Sequence, residues 1–135
     1  MDADEAGVRR RLAARKQQRT RDNLSEGLFE QQVLGLARLL GWKAHHVRDS
    51  RHVLMGDIGY PDWTFAKGGN VIIAELKRES GHLTDAQEEW LSDLGWPPGS
   101  QWLQSGRLQV YVWRPSDMDQ GRIQAVFQGT MERGE

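Results

Sequence analysis

Two adjacent glycines, Gly68 and Gly69, separate two short apolar runs, and this stretch constrains the fold more than any other. A two-residue turn between antiparallel strands needs positive φ at its central positions, which glycine adopts without steric cost. The run before the turn opens at Pro61 and reads as a strand from Asp62 to Phe65. The run after it, Val71 to Lys77, alternates as a strand does. Val71, Ile73, Glu75 and Lys77 share one face, and Ile72, Ala74 and Leu76 share the other. Both faces are largely apolar, so this strand belongs in the middle of a sheet that is covered on both sides.

The covering layers are readable on either side of the hairpin. Ser25 is an N-cap residue, and Leu28, Phe29, Val33, Leu36, Ala37 and Leu40 follow with helical spacing until Gly41 ends the helix. Trp42 to Arg48 reads as a strand, and residues 49–60 as a loop rich in Gly, Asp and Arg. A second helix runs from about Thr84 to Leu94, with Thr84 and Gln87 as a capping-box pair and Trp90, Leu91 and Leu94 on its buried face. Gly95 and Pro97-Pro98 stop it. After a loop at 96–107, Leu108 to Trp113 is a strand halted by Arg114-Pro115. Ile123, Val126 and Phe127 suggest a short last helix. The order helix, three strands, helix, strand predicts an α/β sandwich around one mixed four-stranded sheet.

The chain has 135 residues, which suits one domain and one core. It contains no cysteine, which excludes disulfides and thiolate metal sites. No apolar run is long enough to span a bilayer, and the charged N-terminus lacks the apolar stretch of a secretory signal, so a cytoplasmic protein without a membrane partner is expected. Net charge is −1, so the chain as a whole is no basic nucleic-acid binder. The charge is uneven, however. Residues 1–23 form a basic arm, either helical or disordered, in which Arg9, Arg10, Arg11, Arg15, Lys16, Arg19 and Arg21 crowd together. Such a stretch suits phosphate contacts, and equally suits a solvated tail. Residues 24–135 form the folded domain.

The hairpin register carries the chemistry. With Gly68-Gly69 as the turn, Lys67 pairs with Asn70, and counting back sets Asp62 opposite Glu75. Directly opposed residues point to one face with Cβ atoms about 4.5–5.5 Å apart. Lys77 lies two residues beyond Glu75, on the same face. Two carboxylates that close repel one another unless a cation lies between them, and hard oxygen ligands select Mg²⁺ or Mn²⁺. Such an ion polarises a phosphodiester oxygen and acidifies bound water, and a neighbouring ammonium stabilises charge developing on phosphorus. This is equipment for phosphodiester hydrolysis. A Glu-x-Lys strand end alone is usually a salt bridge; the Pro-Asp at the matching register position is what favours the catalytic reading.

Gly59-Tyr60-Pro61-Asp62 followed by Ala74-Glu75-Leu76-Lys77 resembles the PD-(D/E)xK nuclease motif, and the wider pattern resembles its VRR-NUC branch. In that branch a glutamate opens the first helix, then come a G-x-P-D, an E-L-K strand, a short loop and a helix bearing a glutamine. Here those features read Ser25-Glu26, Gly59 to Asp62, Glu75 to Lys77, Gly81, and Leu83-Thr84-Asp85-Ala86-Gln87, and Val110 to Pro115 is similar to the family's closing strand. The likeness covers about residues 24–116. It implies a restriction-endonuclease-like α-β-β-β-α-β core and metal-dependent cleavage of DNA. By analogy with resolvases of four-way junctions, it also implies a branched substrate and a homodimer. It implies that Asp62, Glu75, Glu26 and the backbone carbonyl of Leu76 hold Mg²⁺ or Mn²⁺, that Lys77 assists the attacking water, and that Gln87 is auxiliary. The arm and the loop at 96–107 lie outside the family pattern.

Simpler readings stand beside several of these roles. Glu26 suits a helix N-terminus on electrostatic grounds alone, and Glu30, one turn on, competes with it for the site. Gln87 is accounted for by its cap. His45, His46 and His52 match no strong zinc spacing; His46, Arg48 and Arg51 read better as lining the approach and binding phosphate, or as a strand histidine and a solvated loop. Trp63 and Trp90 read as core, and Trp96 and Trp102 as core or interface rather than as base-stacking platforms. The rival to an enzyme is a catalytically silent DNA-binding module of the same fold. The presence of all three central residues argues against it.

Overall fold

A computed structural model describes residues 4–13, 25–47, 55–96 and 104–129. Residues 4–13 are helical (α1) and carry exposed Arg9, Arg10 and Arg11. Arg15 and Lys16 lie outside the described residues, as do Arg19, Arg21, Arg48, Arg51, His52, Trp102 and Pro97-Pro98. The remaining elements are α2 (Glu26–Leu39), β1 (Lys43–His46), β2 (Trp63–Lys67), β3 (Asn70–Leu76), α3 (Asp85–Asp93), β4 (Leu108–Trp113), α4 (Pro115–Asp119) and α5 (Arg122–Gln128). Among the described residues, no helix is long and apolar enough to cross a membrane.

The four strands form one mixed sheet in the order β1-β2-β3-β4. β1 and β2 are antiparallel, as are β2 and β3, while β3 and β4 run parallel. Helix α3 occupies the crossover between the parallel strands, as a parallel connection requires. The hairpin register is the expected one: Lys67 pairs with Asn70 and Trp63 with Ala74. Gly68 and Gly69 have φ of 56° and 87°, the double positive that a two-residue turn demands.

One face of the sheet packs on α2 and α5. Its core joins Phe29, Val33 and Ala37 of α2 to Trp63, Phe65, Ile72, Ala74, Leu76, Tyr111 and Trp113 of the sheet and to Ile123 and Phe127 of α5. Trp42 Nε1 donates to the Phe127 carbonyl at 2.9 Å, tying the end of α2 to α5. The opposite face carries Ile73, Glu75 and Val110, all buried, on the side of α3. β3 is thus covered on both faces.

Helix α2 begins where expected, with Ser25 Oγ accepting from Leu28 N at 3.1 Å. Its buried stripe is narrower than the apolar periodicity suggests. Phe29, Val33 and Ala37 are buried and Leu36 and Leu40 partly so, but Leu28 is 59% exposed. On α3 only Leu91 is buried, because Trp90 turns to the loop before β2. The segment after β4 holds a helix absent from the sequence reading. Pro115 ends the strand and also opens α4, since its missing N–H is not needed in a first helical turn.

Candidate active site

Asp62 sits at the bend immediately before β2, and three features hold it there. Gly59, at φ 97°, packs so closely on α3 that a Cβ would lie 2.7 Å from the Ala86 carbonyl carbon. Trp90 of α3 donates from Nε1 to the Asp57 carbonyl at 3.2 Å and meets the Tyr60 ring edge-on at 4.9 Å. Val47 N donates to the Asp62 carbonyl at 2.8 Å, prolonging the β1–β2 ladder by one step. Asp62 is therefore fixed from the helix side and from the sheet side together.

One step beyond the Trp63–Ala74 pair, Asp62 faces Glu75. Glu75 is 2% exposed. Its Oε2 accepts from Gln87 Nε2 at 3.4 Å, and its Oε1 is buried with no hydrogen-bond partner among the described residues. The two carboxyl groups are close enough to share a proton. Burial, and then the charge of Asp62, pushes the Glu75 pKa up to about 8. Burial raises Asp62 too. The Lys77 ammonium pulls both the other way without reversing either shift.

Lys77 is half-buried just past the end of β3, where its N–H donates to the Trp113 carbonyl at 3.0 Å. The loop that follows is tied down by Arg114 Nη2 to the Gly81 carbonyl at 2.7 Å and by Ser116 N to Glu79 Oε1 at 2.9 Å. Leu76 buries its side chain in the core, so only its backbone carbonyl is left to serve as a ligand. Gln87 makes two sets of contacts. Its N–H and Oε1 complete the capping box with Thr84, while its Nε2 turns to Glu75.

The two helix carboxylates separate. Glu26 Oε1 accepts from Arg78 N at 3.4 Å, one residue past Lys77. Glu30 reaches the Asp62 side of the site. Its Oε2 accepts from Trp63 Nε1 at 2.8 Å and lies 3.1 Å from His46 Nε2. Glu30, His46 and Asp62 each offer a ligand atom within 4.8 Å of the others. His46, at the end of β1, stacks on Trp63 with ring centroids 4.5 Å apart. This grouping was not legible beforehand. The β1–β2 register that sets His46 opposite Trp63 joins strands far apart in sequence, from Lys43–His46 to Trp63–Lys67, so residue spacing does not define it.

The donor set fits a divalent cation. Two or three carboxylates converge, one oxygen is buried without a donor, and a carboxylate pair that titrates high is relieved by a cation. Among the described residues no contact brings Arg9, Arg10 or Arg11 to this cluster. No family model, curated protein or solved structure matches the chain.

Proposed function

We propose that this protein is a divalent-metal-dependent phosphodiesterase with its centre at Asp62, Glu75 and Lys77. More particularly, we read it as a DNA endonuclease with a restriction-endonuclease-like core similar to the VRR-NUC branch, selective for branched or junction DNA and working as a homodimer. The observation that carries the reading is the apposition of Asp62 and Glu75 across the hairpin, with Lys77 beside them and one Glu75 oxygen without a donor among the described residues.

A bound Mg²⁺ or Mn²⁺ would supply Lewis-acid polarisation of the phosphate and a more acidic water. Asp62 and Glu75 would hold it, with the Leu76 carbonyl and Glu26 completing the set. Lys77 places a positive charge where negative charge develops on the phosphate oxygens. Gln87, locked by its cap, keeps the Glu75 carboxylate from rotating. Arg9, Arg10, Arg11, Arg15, Lys16, Arg48, Arg51 and His46 would contact the DNA backbone, which positions a substrate without reading its bases.

The test is cleavage of labelled duplex, single-stranded, flap and four-way-junction DNA with Mg²⁺, Mn²⁺ or EDTA, using the full chain and Lys77→Ala. Cleavage that needs both metal and Lys77 supports the reading, and the preferred substrate defines the role. Binding of junction DNA without cleavage of any substrate would replace it with the silent binding module.

A further inference from the structure

The proposed reaction makes no use of Glu30 and assigns His46 only to phosphate, yet these two side chains are built into the site more firmly than a loose phosphate contact requires. The His46 ring is held flat against Trp63, with 24° between the planes. Its Nε2 is 3.1 Å from Glu30 Oε2, and that carboxylate is fixed in turn by Trp63 Nε1 at 2.8 Å. Asp62 closes the triangle, with one ligand atom from each residue inside 4.8 Å. Ligands about 2.1 Å from a common ion lie roughly 3 Å apart when adjacent and roughly 4.2 Å apart when opposed. The 3.1 Å between His46 Nε2 and Glu30 Oε2 is that of two adjacent ligands, and the Asp62 carboxylate lies near enough to be drawn onto the same ion. A second observation points the same way. Glu75, 2% exposed, directs its carboxyl group at that of Asp62, and its Oε1 receives no hydrogen bond from a donor among the described residues.

We propose that Glu30, His46 and Asp62 bind a divalent cation through two carboxylates and one imidazole nitrogen, with Asp62 as the carboxylate shared between this ion and Glu75. The inference rests on the metal-dependent reading above only in taking Asp62 as a ligand. An imidazole ligand favours Mn²⁺, Co²⁺ or Zn²⁺ over Mg²⁺, which prefers an all-oxygen shell. The indole of Trp63 has two tasks here: its face orients the imidazole and its N–H orients Glu30. Such outer contacts set the direction of a ligand before the metal arrives. The sheet supplies His46 and Trp63 as a cross-strand pair, and α2 supplies Glu30 from above.

The experiment is Mn²⁺ binding to the full chain followed by electron paramagnetic resonance, with pulsed detection of nitrogen coupling. The expected result is tightly bound Mn²⁺ with the ¹⁴N modulation of a directly coordinated imidazole, replaced by the ¹⁵N pattern when histidine is isotopically labelled. His46→Gln abolishes that modulation and weakens Mn²⁺ binding by about ten-fold or more, the scale of losses at metal-site supports. Glu30→Gln weakens binding similarly, and His45→Gln, on the other face of β1, leaves the modulation intact. Because the chain has four histidines, the labelled wild-type chain shows that a histidine ligates, and His46→Asn assigns it to this position if His46→Gln folds poorly. Failure to bind Mn²⁺, an all-oxygen signal, or nitrogen coupling that survives His46→Gln overturns the proposal. Nitrogen-coupled Mn²⁺ in a protein that cuts no DNA leaves this site standing and removes the nuclease reading. Mn²⁺-dependent cleavage with an all-oxygen signal does the reverse.

Discussion

Lys77 and Glu75 stand two residues apart on one strand, yet their replacement has different consequences. Lys77 is half-buried and compensates two carboxyl groups from the strand end. Lys77→Ala is expected to fold and to lose cleavage by about 10²-fold or more, the usual effect of removing a group that stabilises transition-state charge. Single-turnover rates on the best substrate would measure it, and unchanged rates would remove Lys77 from the mechanism. Glu75 is enclosed, with burial and Asp62 both opposing its ionisation. Glu75→Gln keeps the shape of the protonated acid, so the metal-free protein should be no less stable than the parent at pH 8, while Mn²⁺ affinity falls. Calorimetric titration and a thermal melt on one preparation test the two halves together.

At the scale of elements, the site depends on how the loop before β2 is clamped to α3. Gly59 combines a positive φ with a backbone contact that leaves no room for a Cβ. Gly59→Ala should cost more than about 1 kcal/mol, since side chains are disfavoured at such φ. It should also lower metal affinity, because shifting the loop moves Asp62. A melt that drops while Mn²⁺ affinity holds would show that the loop does not set the position of Asp62. The N-terminus of α3 offers a finer comparison. Thr84→Ala removes the cap alone, at about 1 kcal/mol. Gln87→Ala removes the other half of the cap and the contact to Glu75. If Gln87 serves the site, its loss reduces activity beyond what Thr84→Ala does at matched stability, and equal activities would leave it a capping residue.

For the whole molecule, the raised Glu75 pKa becomes a statement about stability. A group whose pKa is higher folded than unfolded contributes stability that is full below the unfolded value and is lost as pH rises through the folded one. For Glu75 the window runs from the ordinary 4.5 to about 8. The metal-free protein is therefore expected to melt at progressively lower temperature as pH is raised from 5 to 8. Glu75→Gln should flatten that slope, and a saturating divalent cation should restore stability at the alkaline end, because a ligand that binds only the folded form stabilises it. Melting curves across pH, with and without Mn²⁺, measure both effects. A stability that rises over this window would mean that the carboxylates are not packed as described. The sheet itself rests on Phe65, fully buried between Trp63, Trp113 and Phe127. Phe65→Ala should cost about 3–5 kcal/mol.

Much of this arrangement was determined locally and was readable from the chain. Gly68-Gly69 imposed the turn. The two-residue strand period then set Asp62 against Glu75 and Lys77 on their face, because a register defined by a tight turn leaves no freedom to slip. Ser25 and Thr84 marked two helix starts for the same reason, as a cap acts within one turn. What only the tertiary structure decided lies between segments that no short turn connects. Residue spacing left Glu26 and Glu30 equivalent, one turn apart on one helix; the packing of α2 on the sheet set the first beside the Arg78 backbone and the second beside His46 and Asp62. Trp90 carried the same apolar periodicity as Leu91, and the loop at 57–60 drew it out of the core. His46 reached the site through a strand pairing closed across residues 47–62. Local chemistry specifies a hairpin and its caps, whereas the meeting of distant side chains follows from how the layers pack, and packing is a property of the whole core.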